Sequence, residues 1–70
     1  MNRLKFLSYG KYDSTLDDKQ TAYFQFENDV LCAMNSFYGL SLVLNPGPEH
    51  KRVSSEIFNE NEIKYIFSVF

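Results

Sequence analysis

The sequence predicts a small α+β domain: a five-stranded, mostly antiparallel sheet carrying one short helix, in the order β-β-α-β-β-β. Three observations predict it. Residues 3–9 and 21–27 alternate apolar and polar side chains at the two-residue period of half-buried strands. Residues 29–38 gather their apolar side chains on one arc of a helical wheel. Residues 40–44 form an apolar run interrupted only by Ser41, read as a buried strand. The alternative is a small all-β barrel in which residues 30–37 are strand.

In the first strand, Leu4 and Phe6 point one way while Arg3, Lys5, Leu7 and Tyr9 point the other, and Gly10 ends the run. Residues 11–20, KYDSTLDDKQ, are the most polar segment, and their Asp, Ser and Thr compete with regular structure through local hydrogen bonds. They read as a loop, with a one-turn helix over 14–19 also compatible. The second strand places Ala22, Phe24 and Phe26 on one face and Tyr23, Gln25 and Glu27 on the other.

For residues 29–38, Val30, Leu31, Ala33, Met34, Phe37 and Tyr38 fall within about 160° of the wheel, opposite Cys32, Asn35 and Ser36. Asn28 suits an N-cap, Asp29 the first turn and Gly39 the left-handed position after the last. The NPGP of residues 45–48 stops the following strand.

From residue 52 onward the chain reads as a terminal hairpin around Asn59, Glu60 and Asn61, with Asn61 tolerating the left-handed conformation of a three-residue loop. This register opposes Phe58 with Glu62 and Glu56 with Lys64, and collects Val53, Ile57, Ile63, Tyr65, Phe67 and Val69 on one face. The rival is a C-terminal helix capped by Asn59 with Glu62 three residues on, which gathers Ile63, Ile66, Phe67 and Phe70 into a stripe. Crowding of β-branched and aromatic residues favours the strand. The expected core is Phe24, Phe26, Met34, Phe37, Leu42 and Leu44.

Seventy residues make a single domain, 1–70, that buries only about 60% of the surface its unfolded chain exposes. One cysteine excludes an internal disulfide, and one cysteine with one histidine cannot build a tetrahedral zinc site without carboxylates. No cofactor or metal is expected. Core volume then has to come from seven Phe and five Tyr, with self-association as the expected supplement. The net charge of −2 argues against affinity built on phosphate neutralisation. No window holds 18 consecutive apolar residues, and Arg3 and Lys5 interrupt the apolar run at residues 1–10, so neither a membrane span nor an export signal is expected. A lone thiol fits a reducing cytoplasm.

Few residues are set up for chemistry. His50 lies in a Pro/Gly loop beside Glu49 and Lys51, where a solvated histidine is the plain reading. Cys32 has no base in its local pattern. Asp13, Asp17 and Asp18 lack the glycine and closing glutamate of a calcium loop, and the glycines form no phosphate-cradling motif. An enzyme is therefore not expected.

Two surfaces remain. The hairpin register places Phe58, Ile66 and Phe70 on an outer face, with Tyr23 adding to it; an exposed apolar patch of this kind marks a protein contact. A C-terminal edge strand also offers pairing to a second copy, hence a homodimer. The leading expectation is thus a small non-enzymatic protein-binding protein, an inhibitor or modulator of a protein partner, in the class of phage accessory proteins, antitoxins and immunity proteins. The alternative is a single-stranded nucleic-acid-binding module using Arg3, Lys5, Tyr9, Lys11 and Tyr12 as cations beside stacking rings.

Overall fold

A computed structural model describes residues 3–10, 20–37, 39–45 and 51–70. Among the described residues, the α+β class, the five antiparallel strands and the one short helix are as expected, but the helix occupies a different stretch of chain. The strands are β1 (Leu4–Tyr9), β2 (Thr21–Phe26), β3 (Asp29–Ser36), β4 (Gly39–Leu44) and β5 (Lys51–Val53), paired antiparallel in chain order into an open sheet. A 3-10 turn (Ser55–Ile57) then leads into α1 (Glu60–Ser68). The polar segment 11–19 and most of the NPGP loop lie outside the described residues.

Residues 29–36, expected as helix, form the central strand. Phe26 opposes Asp29 across a two-residue turn in which Glu27 adopts a left-handed φ of 56°, as the tight turns matching strand twist require. The resulting register opposes Phe24 with Leu31 and Ala22 with Ala33. Leu31, Cys32, Ala33 and Met34 are buried in succession because both faces of the sheet are covered at its centre. Leu31 and Ala33 join the main core, while Cys32 and Met34 join a second cluster with Val43 and Tyr23. A strand buried on both faces has no alternation to display, and its apolar run then fills an arc of a helical wheel by default.

The residues expected as helix caps serve turns instead. Asn28 completes the β2–β3 turn, and Gly39, at φ 111°, opposes Ser36 at the start of β4. Phe37, expected in the core, projects from this second turn and is 96% exposed. Of the other expected core residues, Phe24, Phe26, Met34 and Leu42 are buried and Leu44 packs partly against the core.

The C-terminal segment is helix, not strand. Asn59 Oδ1 accepts the Glu62 N–H at 2.8 Å and Glu62 Oε1 accepts the Asn59 N–H at 2.9 Å, a closed capping box. Lys64 accordingly pairs with Glu60, one helical turn away at 3.5 Å, rather than with Glu56 across a ladder. Tertiary burial overrides β propensity here. Ile66 is wholly buried, and Ile63, Tyr65, Val69 and Phe70 pack partly against the same core. Burying one such side chain contributes about 1.5–3 kcal/mol, against propensity differences of about 0.7 kcal/mol per residue or less. The dimer edge expected of a C-terminal strand disappears with that strand.

The main core comprises Leu4, Ala22, Phe24, Phe26, Leu31, Ala33, Leu42, Phe58 and Ile66. Phe24 lies between Phe6 and Tyr65, each edge-on at 5.7 Å, and Phe26 meets Phe58 at 5.1 Å. A bulge in β1 shifts the pairing between Phe6, opposite Phe24, and Ser8, opposite Tyr23. Bulges re-aim the side chains that follow them. Tyr9, expected on the face of Lys5, instead opposes Ala22 and sets its ring edge-on to Phe6 at 5.1 Å.

Two substitutions test this packing. Ile66→Ala should lower the unfolding free energy by about 3 kcal/mol through a core cavity, and Phe67→Ala, at a half-exposed site, by less than about 1 kcal/mol. Equal losses in urea titrations would mean that α1 presents a different face to the sheet.

Candidate functional site

Helix α1 lies beside β1 and is tied to that strand at three levels. At the bottom, Arg3 grips Glu62 with both arms of its guanidinium, Nε to Oε2 at 2.8 Å and Nη2 to Oε1 at 2.6 Å; Nη2 also donates to the Ile57 carbonyl at 3.1 Å. The same guanidinium sits 5.3 Å from the centre of the Phe26 ring. In the middle, the Phe6 N–H donates to the Tyr65 hydroxyl at 2.9 Å, and at the top the Tyr9 hydroxyl donates to the Val69 carbonyl. From residue 3 to 9 the strand advances about 20 Å, whereas from residue 62 to 69 the helix advances about 10 Å. Long side chains therefore make the outer links, and a backbone N–H suffices for the central one.

This seam settles where most of the sequence-predicted site residues lie. Phe58 and Ile66 are core residues, Phe70 packs partly against the core, and Tyr23 belongs to the second cluster on the opposite face of the sheet. They form no common exposed patch, because the hairpin face that grouped them is replaced by a helix. Arg3 and Tyr9 are held by α1. Lys5 is exposed on the far side of β1, and Lys11 and Tyr12 lie outside the described residues. His50, Asp13, Asp17 and Asp18 lie outside them too. Among the described residues, no group of three or more His, Cys, Asp or Glu is placed to hold a metal ion, and no helix is long and apolar enough to cross a membrane.

Cys32 is fully buried. Burial pushes its thiol up to about 11 from the ordinary 9.0, with a hydrogen bond from Tyr23 acting the other way. It is a neutral packing group at physiological pH.

The opposite side of the molecule is built differently. β5 covers only part of β4: Val53, Arg52 and Lys51 oppose Leu42, Val43 and Leu44. Residues 39–41 pair with β3 on one side and with no strand on the other among the described residues. The chain leaves the sheet after Val53 because Ser54 caps the 3-10 turn, its hydroxyl accepting the Glu56 N–H at 3.2 Å. The departure opens a groove of about 310 Å³ between β4 and α1. Leu40, Ser41 and Leu42 form one wall, Ile63 and Phe67 the other, and residues 52–55 close one end.

Phe67 stands half-exposed in this groove, and Arg52 has no ion-pair or hydrogen-bond partner among the described residues. Sequence reasoning missed the site because residues 52–58 read as one continuous strand. Its signal is the paired serine of VSSE, a turn-initiating pair directly after the apolar Val53. Compared with family models, curated proteins and solved structures, the chain finds no match.

Two predictions concern the titrating groups. Glu62 is held below its ordinary 4.5, first by the Arg3 hydrogen bond, with partial burial opposing and the Asn59 N–H assisting. The folded state therefore holds this proton less tightly than the unfolded chain. The stabilisation is present in full above pH 4.5 and is lost as pH falls through the lower folded value. Glu62→Gln keeps a capping group but removes the charge; its urea midpoint should be lower than wild type at neutral pH, and the two should converge as the pH falls below 4.5. A constant gap across that range would show that the charge is not the source. For Cys32, a thiol-specific reagent at neutral pH should react at least about a hundredfold more slowly with the native protein than with the urea-unfolded chain; equal rates would contradict its burial.

Proposed function

We propose that this chain is a small non-enzymatic protein-binding protein that inhibits or modulates a protein partner. The observation carrying this reading is the groove beside α1, where, among the described residues, a strand edge lacks a neighbour, an aromatic side chain is half-exposed and an arginine is unpaired. Open strand edges recognise other chains through their backbone groups, and aromatic and arginine side chains are the types that anchor protein interfaces. The exposed Phe37, two residues before the open stretch of β4, extends the same kind of surface. Phage accessory proteins, antitoxins and immunity proteins remain the class that this size and mild acidity suggest.

The nucleic-acid reading has less support, because Arg3 and Tyr9 are engaged by Glu62 and Val69. The buried, protonated Cys32 gives no support to thiol catalysis.

Affinity capture from the native host, read by mass spectrometry, tests the proposal when wild type and Phe67→Ser are compared. Light scattering on the free protein and circular dichroism confirm that the two share mass and fold. A protein retained by wild type and lost with Phe67→Ser is the expected result. Capture of the same proteins by both, or of none by either, would remove the proposal.

A further inference from the structure

We infer that the groove is a strand-addition site for an extended segment of the partner protein in which apolar and acidic residues alternate; this rests on the protein-binding reading above. Successive residues of a strand face opposite sides of its sheet. Leu40, Ser41 and Leu42 nevertheless all line one groove. Together with the missing neighbour of residues 39–41 among the described residues, this places the groove along the strand's edge. That is the position β5 would occupy if it continued past Val53. The slot spans residues 39–41 of β4, roughly 10 Å of ladder. At the Gly39 end the slot borders open space, where an added Cβ would meet nothing within 4 Å.

The two faces of the slot differ in chemistry. Leu40 shares the face of Leu42, which packs in the core beneath α1, and Ile63 and Phe67 wall that side. Arg52 opposes Val43 and so lies on the other face with Ser41, away from α1. No acidic residue lines the groove among the described residues. A strand entering the slot therefore sets every second side chain against an apolar wall and the alternate ones on the face of the Arg52 guanidinium, which has no partner among the described residues. Valine-like and carboxylate side chains at a period of two satisfy both. The neighbouring edge strand carries Lys51 as well, which adds to the local attraction for an acidic segment.

The test uses three end-capped, dye-labelled heptapeptides at low salt: one alternating valine and glutamate, one with lysine in place of glutamate, and one N-methylated at every residue of the first. The full chain should bind the glutamate peptide roughly fivefold more tightly than the lysine peptide, and Arg52→Glu should reverse the order. The N-methylated peptide, which cannot complete a ladder, should bind neither form. In nitrogen-15 correlation spectra the glutamate peptide should shift the amides of residues 39–41 and slow the hydrogen exchange of Leu40, whose N–H faces the open edge because those of Gly39 and Ser41 point to β3.

Equal affinity for the glutamate and lysine peptides, retained binding of the N-methylated one, shifts confined to other residues, or no binding of any peptide would each overturn strand addition. If strand addition fails while Phe67→Ser still abolishes partner capture, the protein-binding reading stands and only this mode of it is wrong.

Discussion

The carboxylate of Glu62 joins two stretches of chain 59 residues apart. It closes the capping box of α1 through Oε1 and receives the two arms of Arg3 on Oε2 and Oε1 at the entry to β1. Helix and sheet need each other for this. A helix of nine residues is too short to persist in water by itself, since isolated helices under about 12–15 residues are marginal. The sheet, for its part, would expose Phe24, Leu31 and Leu42 without Ile66 and its neighbours. The bidentate contact fixes how α1 is rotated over the sheet. With Glu62 turned toward Arg3, Ile66, four residues on and on the same side of the helix, is directed into the core.

The helix lies to one side, and this makes the two edges of the sheet unequal. β1 is bulged and laced to α1 through Arg3, Phe6 and Tyr9. Such devices keep an edge strand from pairing with other chains. At the far edge, β5 is short and carries Lys51 and Arg52, which discourages indiscriminate pairing, yet it stops before covering the start of β4. The Ser54 cap stands directly after β5 and lines the end of the groove, so the sheet finishes and the open surface begins at the same point of the chain.

Several features of the site could be read in the chain and several could not. Asn59 and Glu62 are visible as a capping pair, and the helical stripe they imply contains Ile66; the competing hairpin looked stronger only because β-branched residues crowd the segment. The bulge of β1 has no marker among Phe6, Leu7 and Ser8, so the turning of Tyr9 toward α1 could not be foreseen. The open edge depends on a length mismatch between β4 and β5, six residues against three. That mismatch becomes visible only once the two strands are known to be partners.

By itself the sequence determined the α+β class, the alternating strands β1 and β2, the existence of strand β4 and an aromatic core supplied by Phe24 and Phe26. These follow from local periodicity and side-chain volume, which every partner of those segments must respect. Only the tertiary structure decided that residues 29–36 are strand and residues 60–68 helix. An apolar run reads as one-sided or two-sided according to what packs against it. For these two segments, local propensity differences are smaller than the free energy of burying Leu31, Met34 or Ile66. The burial partners, distant in sequence, selected the structure that local signals left open.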